Sequence, residues 1–237
     1  MQTITAVIPV RAGSRRIPNK NLAPFAGSSL LEHKIEVLKQ VPEVTKILVS
    51  SDSEKMLDVA AKHGAETHVR PAEYCDEKTL PFAETVRLVC SETDGDNILW
   101  APCTSPLITS ETFSAAINTY FEKREQGYDS LIAVEELKKF IWDENKPLNY
   151  ELGEKQVPSQ QLPNWYAVTC GIYLAPRKKA VEWKYICGGN VYKYVVDHIT
   201  AVDIDDPIDM LIADTLLKWR SSHQNAQTSD QKSGGDL

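Results

Sequence analysis

Short apolar runs alternate along the chain with stretches in which apolar residues recur every three to four positions. The apolar runs are rich in β-branched and bulky residues, as in buried strands, and lie at 4–10, 46–50, 65–70, 97–101, 129–134 and 191–196. The helical spacing is clearest over about 29–40 and 110–126. Strands that alternate with helices in this way predict an α/β fold built on an open sheet.

The pattern changes twice in the C-terminal half of the chain. Residues 135–163 lose clear periodicity, and an irregular stretch this long inside a domain is usually functional or faces a partner. A last helix is predicted with a buried side formed by Met210, Leu211, Ala213, Leu216 and Leu217. We therefore expect one domain over residues 1–220 with an inserted arm at 135–165, and a disordered polar tail at 221–237.

A basic loop follows the first predicted strand. Gly13 lets backbone approach a ligand closely, and Ser14 adds a hydroxyl group. The loop also carries four cations, Arg11, Arg15, Arg16 and Lys20. Cations around a glycine at a strand end predict a polyphosphate site, although a solvated basic turn is the simpler alternative. Neither the Walker A loop nor the Gly-x-Gly-x-x-Gly fingerprint occurs.

An acidic segment near the C-terminus is the second candidate for chemistry. Asp203 and Asp205 would point the same way if the preceding strand continued, because strand side chains alternate. Two carboxylates on one face suit Mg²⁺, which prefers oxygen ligands and bridges phosphates. Asp206 and Pro207 open the last helix. The alternative is that Asp206 is a helix cap and the other two are surface acids.

Composition narrows the class of protein. The 237 residues carry a formal net charge of −7, with a pI near 5.3. This acidity argues against general nucleic-acid binding and favours local basic sites for anionic ligands. No apolar run approaches the ~20 residues of a membrane span, and we expect no signal peptide ahead of the first strand. Five cysteines without a Cys-x-x-Cys pair are typical of reduced thiols in a cytoplasmic protein.

Several motifs carry a family resemblance. The stretch Arg11–Leu22 resembles the Arg-x-Gly-Ser-Lys/Arg-x-x-Pro-x-Lys-Asn-Leu signature of the acylneuraminate cytidylyltransferases, which activate acidic sugars. Further matches to this family are Arg70-Pro71 with Asp76, Thr104 to Leu107, Gln160 to Pro163, and Asp203 to Asp209. The resemblance covers nearly the whole chain up to about residue 220.

The resemblance implies both a fold and a reaction. The fold is a three-layer α/β/α arrangement with a mostly parallel, Rossmann-like sheet of the nucleotide-diphospho-sugar transferase type and a small dimerisation arm. The reaction is Mg²⁺-dependent transfer of CMP from CTP to a hydroxyl of sialic acid or a related 2-keto ulosonic or nonulosonic acid, with release of pyrophosphate. The expected partners are CTP, the acidic sugar and a second copy of the chain in a homodimer, with no nucleic acid and no membrane.

The resemblance also assigns roles to residues. The expected catalytic residues are Arg11, Lys20 and Asp203, and the expected Mg²⁺ ligands are Asp203 and Asp205. The expected nucleotide contacts are Arg11, Ala12, Gly13, Ser14, Arg15, Lys20, Asn21, Asp52, Arg70, Asp76, Thr104 and Ser105. The expected acceptor contacts are Gln161, Thr169 and Tyr173. Asp52 is equally well explained as a helix cap, and Arg16 is left outside the site.

The motifs do not identify the acceptor molecule. Pro102, Ala167 and Thr169 stand where sialate-activating enzymes carry a glutamine, an arginine and an asparagine. Another acidic acceptor, such as a phosphonate, is therefore an alternative. A glycosyltransferase of similar sheet topology could use Asp203 and Asp205 as its Asp-x-Asp metal site. A catalytically silent relative that only binds or assembles is the third possibility.

Overall fold

The computed structural model describes residues 2–76 and 78–233. Its strands are β1 (Ile4–Pro9), β2 (Pro24–Phe25), β3 (Ser28–Ser29), β4 (Lys46–Ser51), β5 (Glu66–Val69), β6 (Asn97–Trp100), β7 (Ser130–Leu137), β8 (Trp165–Pro176) and β9 (Val191–Val196). Its α-helices are α1 (Leu30–Lys39), α2 (Glu54–Lys62), α3 (Phe82–Ser91), α4 (Ser110–Glu125), α5 (Arg177–Trp183) and α6 (Pro207–Ser233). The strand runs and the two helices predicted from the sequence are confirmed to within a few residues.

Within the described residues, a seven-stranded sheet forms in the order β5-β4-β1-β6-β8-β7-β9. Strand β8 runs antiparallel to its neighbours β6 and β7, and the remaining pairs in this sheet are parallel. The hairpin of β2 and β3 stands apart from this sheet. The parallel strands bring their carboxyl ends to one edge, where open α/β sheets bind ligands.

Side chains of the central strands alternate between two apolar cores. On β1, Ile4, Ala6 and Ile8 pack into one core, and Val7 packs into the other. The first core includes residues of α1, α2, α4 and α6, and the second includes residues of α3 and α5. Helices therefore cover both faces of the sheet, which confirms the three-layer α/β/α fold with a mostly parallel, Rossmann-like sheet.

Two helix starts follow the local sequence. Ser29 is the N-cap of α1, and its hydroxyl accepts the N–H of Glu32 at 3.3 Å. The hydrogen bond from Ser29 also lowers the pKa of Glu32 below its ordinary value, as a capping box requires. Helix α2 is capped in the same way by Ser53, whose hydroxyl accepts the N–H of Met56 at 3.4 Å. Asp52, for which the sequence left a helix cap and a ligand contact as alternatives, is therefore not the cap.

The arm lies between two long antiparallel strands. Strand β7 pairs with β8 as far as Leu137 and Trp165, so the irregular segment is 138–164 and is shorter than the predicted 135–165. A register shift between Ile132 and Val134 marks a bulge in this pair. Cys170, opposite this shift on β8, has a positive φ of 56°. The bulge places Thr169 inside the protein and exposes Cys170.

The segment that follows β9 differs from the prediction. The strand ends at Val196 and does not continue to Asp205. Asp197 turns the chain, because its carboxylate accepts the N–H groups of Ile199 and Thr200 at 2.9 Å each. Asp203 and Asp205 therefore belong to an irregular segment, and Ile204 between them is fully buried.

Helix α6 begins as predicted, because Asp206 accepts the N–H of Ile208 at 2.9 Å. The helix runs on to Ser233 and so enters the segment predicted to be a disordered tail. No proline or glycine interrupts it between residues 208 and 233, which removes the usual causes of a helix end. Residues 234–237 lie outside the described part of the chain. Leu211, predicted to be buried, is 59% exposed. Among the described helices, none combines the length and the apolar character that a bilayer crossing requires.

Candidate active site

A cavity of about 830 Å³ lies at the carboxyl edge of the sheet. Its walls come from the end of β1, the residues after β5 and β6, and the middle of β8, where Val10, Arg70, Pro102 and Tyr173 line it. The basic loop and Asp205 complete the lining. A cavity of this size can hold a nucleotide together with part of a second substrate.

Hydrogen bonds fix the shape of the basic loop. Gly13 adopts a positive φ of 72°, a conformation that favours glycine. Asp52 accepts the N–H of Ala12 at 2.8 Å, which ties the loop to the end of β4. The Asn21 side chain donates to the Arg11 carbonyl at 3.2 Å and closes the loop from its far side. Asp52 is thus a support of the loop, neither the α2 cap nor part of the cavity wall.

The cationic side chains of the loop face the cavity. Arg11, Ser14, Arg15 and Lys20 all line it, as the sequence predicts. Arg16, which the sequence reading leaves outside the site, lines the cavity as well and lies 2.8 Å from the Asp205 carboxylate. The sequence could not reveal this pair, because its two residues lie 189 positions apart and meet only through the fold.

Lys20 joins the basic loop to the acidic segment. Its Nζ donates to the Ile204 carbonyl at 2.6 Å and lies 3.8 Å from Asp205 Oδ1. The Lys20 side chain is 15% exposed, and the Asp205 side chain is 54% exposed. The loop and the acidic segment, distant in sequence, therefore converge on one cavity.

The Thr104–Ser105 loop after β6 holds the other side of the acidic segment. Thr104 lines the cavity, and its carbonyl accepts the N–H of Ile204 at 2.8 Å. Ser105 is fully buried, and its hydroxyl donates to Asp203 Oδ1 at 3.3 Å. This close packing depends on Gly171, where a Cβ atom would lie 2.8 Å from Ser105 Cβ and 2.2 Å from Ile108 Cδ1.

The two carboxylates fit a magnesium ion that also has other ligands. Asp203 Oδ1 is engaged by Ser105 and Asp205 Oδ1 by Arg16 and Lys20, whereas neither Oδ2 atom accepts a hydrogen bond within the described residues. No cluster of three or more potential metal-binding side chains occurs in that part of the chain. The remaining ligands would be phosphate oxygens and waters, as is usual for Mg²⁺.

Arg70 and Asp76 have different positions at the cavity edge. Arg70 lines the cavity but is 4% exposed, and its guanidinium donates to the Val10 carbonyl at 2.6 Å and to Cys75 Sγ at 2.9 Å. Arg70 therefore ties the end of β1 to the turn that follows β5. Asp76 lies outside the cavity lining, 3.7 Å from Arg15.

One of the three expected acceptor contacts reaches the cavity. Tyr173 lines it, and burial, with a further effect of Cys170, raises the pKa of its phenol well above the ordinary value. Thr169 is 4% exposed, and its hydroxyl donates to the Ala133 carbonyl on β7 at 3.3 Å. Gln161 is exposed on the arm, away from the cavity lining of its own chain.

Several residues of the site were not predicted from the sequence. Phe82, Trp100 and Tyr185 form an aromatic wall, with ring centroids 6.1 Å apart for Phe82–Trp100 and 6.2 Å apart for Phe82–Tyr185. They come from three distant parts of the chain and carry no local motif. Lys34, behind the Ser105 loop, did leave a signal, because it falls within the apolar stripe of α1 beside Leu31.

The cavity lies at the carboxyl edge of the α/β sheet, where open sheets of this kind bind nucleotides and other ligands. The family model described as cytidylyltransferase matches residues 5–155. The chain belongs to the cytidylyltransferase family and is a nucleotidyltransferase enzyme. The Asp203–Asp205 segment is therefore not the Asp-x-Asp motif of a glycosyltransferase.

The chain is similar to enzymes named for activated nonulosonic acids. It is 25% identical over 230 residues to the N-acylneuraminate cytidylyltransferase of Escherichia coli O18:K1:H7, covering 90% of this chain and 52% of that protein. It is 28% identical over 228 residues to the CMP-N,N'-diacetyllegionaminic acid synthase of Legionella pneumophila, covering 91% of this chain and 96% of that protein.

A solved structure shares the fold. The CTP complex of CMP:2-keto-3-deoxy-manno-octonic acid synthetase superposes with a TM-score of 0.68 at 14% identity, covering 92% of this chain and 99% of that one. At this identity the likeness shows the arrangement of the sheet and helices.

Proposed function

We propose that this enzyme transfers CMP from CTP to a hydroxyl of an acidic nonulosonic or ulosonic sugar and releases pyrophosphate. The observation that supports the proposal is the contact of Lys20 with the Ile204 carbonyl and with Asp205, beside a cavity that the four loop cations and Asp205 line. The names of the relatives support the acceptor class.

The basic loop would bind the triphosphate. CTP carries about four negative charges, so Arg11, Arg15 and Lys20 would neutralise phosphate oxygens, and Ser14 would donate a hydrogen bond. Arg16 adds a further cation at the same wall. Holding the α-phosphate in line with the acceptor hydroxyl supplies the positional part of catalysis.

Asp203 and Asp205 would hold Mg²⁺ through their carboxylates. The ion supplies charge neutralisation at the phosphates and lowers the pKa of a hydroxyl group bound to it. Asp205, which now contacts Arg16 and Lys20, would be free to hold the ion if the triphosphate bound those two cations.

The acceptor would enter beside Tyr173 and the aromatic wall. Tyr173 keeps its proton over the ordinary pH range, because its pKa is raised, and it can donate a hydrogen bond. The hydroxyl of Thr169 is turned toward β7 and is not available to the sugar. A phosphonate acceptor is the alternative, since residues 102, 167 and 169 lack the polar contacts of sialate-activating enzymes.

The arm supports a homodimer. Its residues include exposed apolar side chains, at Phe140, Trp142, Leu148 and Leu152, which are 40% to 60% exposed. Exposed apolar groups in one segment are typical of a surface that is covered by a partner. A second copy would cover them and would bring Gln161 of one arm to the cavity of its partner. Light scattering coupled to gel filtration tests the dimer.

A cytoplasmic location agrees with the thiols. All five cysteines are free, and Cys90 and Cys103 are buried with pKa values raised by burial to about 12. Buried thiols with raised pKa are unreactive and are typical of reduced proteins.

Pyrophosphate release from CTP and Mg²⁺ tests the proposed reaction. The acceptor panel contains sialic acid, legionaminic and pseudaminic acids, the eight-carbon ulosonate and a set of phosphonates. We expect turnover with one of the sugar acids. Pyrophosphate release with a phosphonate alone would show that the acceptor is a phosphonate and not a sugar acid. No pyrophosphate release with any acceptor would contradict the transfer reaction.

Lys20→Met and Lys39→Met form a matched pair for the site. Lys39 lies on the surface and pairs with Glu36, outside the cavity. We expect Lys20→Met to reduce kcat/KM about a hundredfold or more, because it removes a cation from the developing charge of the transition state. Lys39→Met should retain wild-type kcat/KM. Equal activity of the two variants would remove Lys20 from the mechanism.

A further inference from the structure

Lys34 on α1 is a lysine in the apolar core. Its side chain is 0% exposed, among the apolar residues of α1 that pack under the sheet. Burying an ammonium group is unfavourable, and lysine is almost never fully buried without a partner. A methionine would fill the same space without this penalty. The charge at this position therefore calls for a reason other than packing.

The ammonium group is directed at the loop after β6. Lys34 Nζ donates to the Ser105 carbonyl at 2.8 Å and lies 4.8 Å from the centre of the Phe113 ring. Burial lowers the pKa of Lys34 to about 8, and the nearby Asp203 carboxylate opposes this shift by favouring the charged form. At neutral pH the group is thus mostly positive and stands behind the Asp203 carboxylate.

The loop that Lys34 holds is the support of the acidic segment. Ser105 accepts from Lys34 through its carbonyl, and its single hydroxyl proton is shared between two acceptors, Asp203 Oδ1 and the Thr169 carbonyl, each 3.3 Å away. Its neighbour Thr104 accepts the N–H of Ile204. A displacement of this loop would move both Asp203 and the Ile204 carbonyl that receives Lys20.

We propose that Lys34 is a positioning residue of the transfer site, which acts through Ser105 to fix the Asp203 carboxylate. This inference rests on the proposed transfer reaction. Lys34 itself touches neither substrate nor metal. Its contribution is to hold a buried loop in one position and to place a positive charge behind an acid that must stay ionised.

Lys34→Met tests the proposal, with Leu38→Met as the matched control on the same buried face of α1. We expect Lys34→Met to lower kcat about tenfold or more, because small displacements in an active site are costly to the rate. KM for CTP should change by less than kcat does, because Arg11 and Arg15 of the basic loop keep their own partners, the Cys75 carbonyl and Asp76. Leu38→Met should keep the wild-type kcat.

Thermal unfolding separates positioning from simple stability. Lys34→Met removes a buried charge and should therefore melt no lower than Leu38→Met does. A kcat loss that matches a fall in the folded fraction would mean a structural role and would overturn the proposal. Wild-type kcat in Lys34→Met would overturn it as well.

Ser105→Ala keeps the carbonyl acceptor of Lys34 but removes the hydroxyl that contacts Asp203. It should lower kcat, and adding it to Lys34→Met should lower kcat by less than the product of the single effects. If Lys34→Met does not fold, a wild-type kcat in Ser105→Ala would still refute the proposed link from Lys34 through Ser105 to Asp203. Independent effects of the two changes would refute it too.

Crystal structures of the two methionine variants decide the matter without turnover. We expect the Ser105–Asp203 contact, 3.3 Å in the wild type, to be lost in Lys34→Met and kept in Leu38→Met. An unchanged contact in Lys34→Met would overturn the proposal. If the wild type released no pyrophosphate with any acceptor, the transfer reaction would fail, and this structural comparison would still judge Lys34.

Discussion

The buried Lys34 should make the stability of the protein depend on alkaline pH. Its pKa is about 8 in the folded state, against 10.5 for the free side chain, because the buried ammonium is desolvated. Between these two pH values the unfolded chain binds a proton that the folded protein has released. The free energy of unfolding therefore rises with pH across this window through the contribution of Lys34.

The size of the effect follows from the two pKa values. The gap between 10.5 and about 8 corresponds to about 3 kcal/mol, which is gained over the whole window and is absent below it. Other lysines, tyrosines and cysteines titrate in the same range, so the measurement is the difference between the wild type and Lys34→Met. That difference isolates one group, since the two proteins share all others.

Urea unfolding followed by tryptophan fluorescence gives the free energy at pH values from about 7 to about 11. We expect the wild type to gain about 3 kcal/mol relative to Lys34→Met over this range. Parallel curves for the two proteins would refute the assignment of a desolvated ammonium to this position. A difference of opposite sign would mean that Lys34 is stabilised in its charged form.

Three further substitutions test the packing at Gly171, the hydrogen bond that Asp52 makes with the basic loop, and the exposed apolar surface of the arm. Gly171→Ala should lower the free energy of unfolding in urea by about 1–3 kcal/mol, because the added Cβ would lie 2.8 Å from Ser105 Cβ. An unchanged free energy of unfolding would mean that the Ser105 loop can move aside without loss of stability. Asp52→Ala removes the acceptor of the Ala12 N–H and should raise KM for CTP about tenfold in steady-state assays. An unchanged KM would show that the basic loop keeps its shape without this hydrogen bond. Trp142→Ser should shift the proposed dimer toward monomer in sedimentation velocity, and an intact dimer would move the interface away from the arm.

The regular part of the fold could be predicted from the sequence, because its signals are local. Each apolar run lies within one strand, and the apolar stripe of α1 lies within a few helical turns. The cap of α1 is equally local, since Ser29 and Glu32 are three residues apart. The disorder predicted for residues 221–237 rests on their polar composition and stays a prediction, although α6 extends to Ser233.

The geometry of the site could be predicted only in part. The loop cations were identified through the motif that contains them, and Lys20 and Asp205 do meet. The role of Asp52 was missed, because its partner Ala12 is 40 residues away and presents a backbone N–H, which every residue type other than proline has. The aromatic wall was missed for the same reason, because Phe82 and Trp100 meet only after the sheet has formed.

The burial of Lys34 could not be predicted from the sequence. A lysine among Leu31, Ile35 and Leu38 breaks the helical pattern, so the sequence did contain the anomaly. Side chains of lysine commonly reach solvent from such positions, and the pattern alone gives no reason to expect burial. Only the fold shows that the Lys34 side chain is fully buried and that its ammonium group donates to the Ser105 carbonyl.

The bulge at Cys170 has a consequence for the redesign of acceptor preference. Because β8 has extra chain length at this point relative to β7, the faces presented by its side chains change on passing residue 170. A side chain grafted at 169 would take the buried direction of Thr169, whose hydroxyl donates to the Ala133 carbonyl. Directing a grafted side chain into the cavity would require changing the strand together with its kink, and a deletion of one residue at 170 would turn Tyr173 away from the cavity that it lines.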